Sequence, residues 1–127
     1  MIPIGIGIDL VEISRIQRML DEHGQRTLRR LLTSTESEYC SKQAVPARHV
    51  AARVAAKEAA FKALSAGGDT EYIGWHEFEV SRSIDGRPSL LFHGRGQELA
   101  KRLHVERALL SVTHADAYAA AVVALFG

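Results

Sequence analysis

Lys57-Glu58-Ala59-Ala60-Phe61-Lys62 sets Glu58 and Lys62 four residues apart, one helical turn, with Ser65 on the same side. Two readings fit that spacing. One is an ion pair along a solvated helix, worth about 0.3–0.5 kcal/mol; the other is a charged pair held toward a ligand. Lys57 is a separate oddity. At 100° per residue it projects into the apolar stripe of Val50, Val54, Phe61 and Leu64, where a surface lysine has no place. Either its stem snorkels past the core, or its ammonium meets a buried anion or a subunit interface. Asp9 lies far away in sequence, at the end of the alternating run Ile4-Gly5-Ile6-Gly7-Ile8 and on the glycine side of it. It suits the N-cap of a following helix, and it suits a second role as partner to Glu58. Two hard carboxylates brought together would fit Mg²⁺, which takes one or two protein carboxylates and completes its octahedron with water and phosphate oxygens. A phosphorylated ligand would follow, with Lys57, Lys62, Arg53 and His114 available to neutralise its charge. For His114, at an expected hairpin turn, a solvent-exposed structural role is equally open.

The elements that must position these groups read as an α+β domain with a small, mostly antiparallel sheet packed against helices, a single domain over residues 1–127. Large β-branched residues alternating with glycines predict a first strand that buries its isoleucine face and leaves its glycine face open to a backbone or a ligand. A helix follows from Leu10 to Glu22, with Ile13, Ile16 and Leu20 on one stripe, Arg15 and Arg18 facing solvent, and Gly24 as the stop. Thr33-x-x-Glu36 and Thr35-x-x-Glu38 both read as capping boxes of short helices whose apolar side is Leu28, Leu31 and Leu32. The strongest helix runs from Pro46 to Ala66, ended by Gly67-Gly68. A hairpin at His76–Ser81 and Ser89–Phe92 turns at Asp85-Gly86 and points Phe78 and Val80 inward. Gly94 to His104 forms a short helix, and Ala108–Thr113 with Ala117–Phe126 makes a final strand pair whose last member is apolar enough to be central.

Composition narrows the function. Sixteen basic against fifteen acidic residues leave a net charge of +1, so bulk electrostatics would not hold the chain to nucleic acid or an anionic membrane. A lone cysteine, Cys40, excludes an internal disulfide or a cysteine-rich zinc site and points to a reducing compartment, the cytoplasm. Neither a membrane-length apolar run nor a signal peptide is expected. Gly5-x-Gly7 meets Leu10, and Gly94-x-Gly96 meets Leu99, where a dinucleotide-binding turn needs its third glycine. No Walker A loop is present and no histidines stand at the spacing of a helical zinc site.

Three blocks together, GIGIDLVEISRI at 5–16, RVAAKEAAFKALSAG at 53–67 and SVTHADAYAAAVV at 111–123, resemble the holo-acyl-carrier-protein synthases, the small 4′-phosphopantetheinyl transferases. Leu32-Thr33 with Glu36 and Tyr39, and EVSRSIDGRPSL at 79–90, resemble that family's connecting segments. The resemblance implies the 4′-phosphopantetheinyl transferase fold, and transfer of the phosphopantetheine arm of coenzyme A to a serine of apo-acyl carrier protein, releasing adenosine 3′,5′-bisphosphate, in support of fatty acid biosynthesis. It assigns Mg²⁺ to Asp9 and Glu58 and catalysis to Glu58, Asp9 and Lys62. Arg53, Lys57, Lys62, Ser65 and His114 would lie along the coenzyme A. It leaves open whether Glu58 or a metal-bound water takes the serine proton. It also implies a homotrimer with active sites between subunits, and docking of the acidic carrier protein on Arg15 and Arg18. The alternative is an idle coenzyme A or nucleotide-binding module of the same fold.

Overall fold

A computed structural model describes residues 1–67 and 73–127. In chain order its elements are β1 (Pro3–Glu12), α1 (Ile13–His23), α2 (Gln25–Leu31), α3 (Ser34–Ser41), α4 (Pro46–Leu64), β2 (Phe78–Arg82), β3 (Pro88–Phe92), α5 (Gly94–Arg102), β4 (Arg107–His114) and β5 (Tyr118–Phe126), with 3-10 turns at Ser65–Gly67 and Trp75–Glu77. The α+β class is that expected from the sequence, and so is the order except that four helices, not three, precede the hairpin, since the short-helix stretch divides into α2 and α3. The strands divide into two antiparallel sheets, β1-β5-β4 with the apolar β5 in the middle, and the hairpin β2-β3.

Gly5 and Gly7 decide how these pieces meet. Helix α4 lies directly on their face of β1, so closely that a Cβ on Gly5 would overlap the Ala63 carbonyl and one on Gly7 the Ala59 carbonyl. The helix presents small side chains in return: Ala55, Ala56, Ala59, Ala60 and Ala63 are fully buried. The expected burial of the isoleucine face is therefore overturned. Ile6, Ile8 and Leu10 are 72%, 66% and 63% exposed, because the glycines admit a helix backbone nearer than any larger side chain would allow. Alternation tells which residues share a face, not which face is covered. The outward face continues across the sheet, where Ile8 pairs with Val122 and Leu109 with Ala124.

Strand β1 also runs past Leu10, where the sequence predicts a helix, since Val11 and Glu12 stay paired with Ala119 and Tyr118. Helix α1 starts at Ile13 with Glu12 at its N-cap and stops at Gly24, whose φ is 50° and whose N–H donates to the Leu20 carbonyl. Asp9 is thus an internal strand residue, not a helix cap. Thr33 and Glu36 form the expected capping box, whereas Thr35 falls inside α3 and forms none. Along α4, Val50, Val54 and Leu64 are buried as expected, but Phe61 is 36% exposed, facing the cavity described below. The second glycine of the expected stop, Gly68, lies outside the described residues. Helix α5 ends two residues early, at Arg102, and His104 takes a left-handed φ of 59°. Among the described residues no helix is long and apolar enough to cross a membrane. Cys40 is a buried free thiol, pushed up by burial to about 11.

Candidate active site

The seam between β1 and α4 brings Asp9 and Glu58 together. Their side chains share a hydrogen bond, and burial, the Asp9 charge and that bond push the Glu58 carboxyl above the usual carboxylate range, against the pull of Lys62 and Arg15. Lys62 donates to Asp9 Oδ1 at 3.0 Å and to the Ile8 carbonyl at 3.0 Å. Of the two readings of the Glu58–Lys62 spacing, the ion pair formed is thus neither along the helix nor idle: Lys62 reaches across to the strand. The Ser65 hydroxyl turns back onto the Phe61 carbonyl of its own helix, at 2.7 Å. A cavity of about 310 Å³ opens beside this corner, lined by Lys57, Glu58 and Lys62 with Phe61, Ile73, Trp75 and Phe78 supplying apolar walls.

Lys57 borders the cavity but does not join the charged set of Asp9, Glu58 and Lys62. Its ammonium is buried at 1% exposure and donates to Glu36 Oε1 at 2.6 Å, the Leu31 carbonyl at 2.9 Å and the Trp75 carbonyl at 2.9 Å. An ammonium has three donors, so all are engaged by protein and none is left for a phosphate. The expected ligand contact would thus have to come from the place of Lys57 in the cavity lining and not from a free ammonium. Its anion is Glu36, which the sequence presents simply as a helix-capping residue.

Arg53 and His114 come together elsewhere, around a pocket of about 150 Å³ that they line with His49 and Arg82. Arg53 is 5% exposed; it donates to the His49 carbonyl at 3.2 Å and stacks over the Tyr39 ring at 4.5 Å, with Arg82 over the same ring at 5.1 Å. The His49 and His114 rings are 5.8 Å apart. Burial, Arg53, His114, Arg82 and Arg48 together hold His49 below the ordinary histidine range. The buried Nε atoms of Arg53 and Arg48 have no hydrogen-bond partner. Positive charge without a carboxylate among its lining residues fits this pocket to an anion. Arg53 precedes Glu58 by five residues, about 7.5 Å along the helix axis, and the two hollows share no lining residue, so the acidic corner and the basic pocket are two separate places in one chain. Arg15 and Arg18 are exposed on α1, as expected.

The donor set at the corner fits a hard divalent cation: two carboxylates close enough to repel, one of them pushed toward protonation by burial and then by the other, is a charge imbalance that such an ion relieves. Among the described residues no group of three or more histidine, cysteine or acidic side chains is assembled for a metal, so water and ligand oxygens would complete the shell.

The description "4′-phosphopantetheinyl transferase superfamily" matches residues 5–123. The chain belongs to that superfamily. It is 44% identical over 122 residues to the holo-[acyl-carrier-protein] synthase of Koribacter versatilis, covering 96% of this chain and 97% of the relative. The crystal structure of a holo-(acyl-carrier-protein) synthase from Bacillus anthracis in complex with CoA (3′,5′-ADP) superposes with a TM-score of 0.76 at 31% identity, over 97% of this chain and 96% of that one. The Neisseria meningitidis synthase superposes with a TM-score of 0.86 over 99% and 100% of the two chains, at 24% identity, and bears on the fold alone. The resemblance drawn from the motif blocks holds, and with it the reading of the chain as an enzyme of the 4′-phosphopantetheinyl transferase superfamily.

Within that superfamily frame, sequence reasoning missed His49, Arg82 and Tyr39. His49 had a usable signal, since it stands one turn before Arg53 on the same helix face. Arg82 and Tyr39 had none, because the hairpin and α3 reach Arg53 through tertiary packing.

Proposed function

We propose that the chain moves the 4′-phosphopantetheine arm of coenzyme A onto a serine hydroxyl of an apo-acyl carrier protein, leaving adenosine 3′,5′-bisphosphate. The observation that carries the reading is the meeting of Asp9 and Glu58 beside the Lys62 ammonium. The names of the curated relatives and the coenzyme A bound to the Bacillus anthracis synthase support it. Asp9 and Glu58 would hold Mg²⁺, which when bound neutralises pyrophosphate charge and polarises the attacked phosphorus. Lys62, 53% exposed at its side chain, has the reach to leave Asp9 for a phosphate oxygen and so stabilise charge developing in transfer. The serine proton would pass to the Glu58 carboxylate or to water beside it. Phosphate charge at the nucleotide end would sit in the pocket of Arg53 and His114, whose free Nε and unopposed positive field favour an anion.

The separation of the acidic corner from the basic pocket supports an active site built between copies of the chain, the corner of one facing the pocket of the next. The outward row of Ile6, Ile8 and Leu10 offers the apolar surface for such contacts, in a homotrimer. Carrier protein would dock on Arg15 and Arg18; Arg15 lies within electrostatic range of Glu58, so that surface adjoins the corner. A cytoplasmic place and service to fatty acid synthesis complete the reading.

The test is mass spectrometry of apo-acyl carrier protein incubated with the chain, coenzyme A and Mg²⁺. A gain equal to the phosphopantetheine arm is expected, and no gain is expected with Asp9→Ala or Glu58→Ala. An unmodified carrier under conditions where the wild-type chain binds coenzyme A would leave an idle binding module instead.

A further inference from the structure

Lys57 immediately precedes Glu58, yet its side chain leaves the helix in another direction and joins three elements at once. It reaches α3 through Glu36, the end of α2 through the Leu31 carbonyl, and the Trp75–Glu77 turn through the Trp75 carbonyl. Glu36 extends the tie. Its Oε1 also accepts from the Thr33 N–H at 2.9 Å, and its Oε2 accepts from the Val80 N–H at 2.8 Å, which fixes β2 to the same point. The segments tied here are those that wall the cavity opposite Glu58 and Lys62: Trp75 in the turn and Phe78 at the start of β2. Outside the Lys57 contact, the Trp75–Glu77 turn is held to α2 by His76, whose ring meets the Arg29 carbonyl at 2.6 Å from an exposed position, and to α5 by Glu77, whose Oε2 accepts from the Gly96 N–H at 3.2 Å. A buried ion pair is a poor way to gain stability, since apolar side chains of like volume commonly serve as well or better. What an ion pair with directional donors does supply is a fixed position for each acceptor.

We infer that Lys57 and Glu36 are positioning residues for the cavity: their buried pair holds the Trp75 wall at a set distance from Glu58 and Lys62, and so sets how well the ligand of that cavity is gripped. The inference rests on the proposed function in taking that ligand to be coenzyme A. Lys57 borders the cavity, but its three donors are spent on protein acceptors and Glu36 lies outside the lining, so the pair acts by fixing the wall.

Trp75 is the chain's single tryptophan, so its fluorescence reports the wall directly, with or without ligand. The test compares the wild-type chain with Glu36→Gln/Lys57→Met, which removes both charges together and leaves no unpaired ion in the core. Circular dichroism establishes folding, acrylamide quenching reads Trp75 accessibility, and calorimetric titration with coenzyme A and Mg²⁺ reads binding. The expected result is a folded variant with quenching raised about twofold or more and coenzyme A affinity lowered about tenfold, the scale of one lost well-placed contact. A folded variant with unchanged quenching overturns the inference, and so does raised quenching with unchanged coenzyme A affinity. If the double variant does not fold, Glu36→Asp, which keeps the charge pair and shortens its reach, carries the test, with a smaller change in the same two readouts expected and no change in either overturning it. Failure of the wild-type chain to bind coenzyme A would sink the proposed function instead, while the quenching comparison would still decide whether the pair holds the wall.

Discussion

The acidic corner and the basic pocket both sit on α4, yet they are built on opposite electrostatic plans. At the corner, acids outnumber the base that meets them: Lys62 bridges to Asp9, and Asp9 pushes Glu58 toward protonation. In the pocket nothing is paired off. Arg53 is buried with an orphan Nε, and the surrounding groups raise the positive field instead of cancelling it. A site that exchanges partners during a reaction needs groups with more than one arrangement within reach, and Lys62 has them. A site that only holds an anion does better kept rigid and short of negative charge, so that the ligand supplies the missing countercharge.

That contrast sorts the expected effects of substitution. Asp9→Ala and Glu58→Ala, which remove the corner's carboxylates, should lower turnover by about 10²–10³-fold or more even at saturating coenzyme A, as loss of transition-state electrostatics does; near-normal turnover in steady-state assays would break the comparison. Arg53→Ala and His114→Ala should act mainly on binding, raising KM for coenzyme A about 10–100-fold, the scale of a lost charge-assisted hydrogen bond, with a smaller change in kcat. An equal fall in kcat would place the pocket in the chemistry. Arg15→Glu and Arg18→Glu should raise KM for carrier protein several-fold at low salt, and the effect should fade as ionic strength shortens the screening length. The smallest effect should come from Glu79, outside both places. Burial raises its carboxyl, but hydrogen bonds from His93 and Thr33 outweigh this and hold it below its usual 4.5. A depressed carboxylate stabilises the fold above its unfolded pKa, and that stability is lost as pH falls through the folded value. Glu79→Ala should therefore cost about 1 kcal/mol of unfolding free energy near neutral pH, shrinking below about pH 4.5, with no change in KM for coenzyme A.

Much of the corner is legible in the sequence because it depends on local pattern: two alternating glycines mark a strand a helix can approach, and a Glu-to-Lys turn on an alanine-rich helix marks what approaches it. The element order is legible for the same reason. What could not be read was tertiary. Ile6 and Ile8 alternate identically whether they face a core or a surface, and only the seat of α4 decides between them. Lys57 left a snorkelling stem, a buried anion and a subunit interface all open, and Glu36 did not stand out as its anion because a capping box explains it locally. Tyr39 and Arg82 meet Arg53 from other elements, with no spacing that links them.

The contact of β1 with α4 has a mechanical consequence. Because backbone rests on backbone at Gly7, the distance between the main chains that carry the strand acid and the helix acid works as a gauge block, and only side-chain rotation adjusts the gap between their carboxyls. An added methyl there would move the helix as a body and carry Glu58 out of register with Asp9.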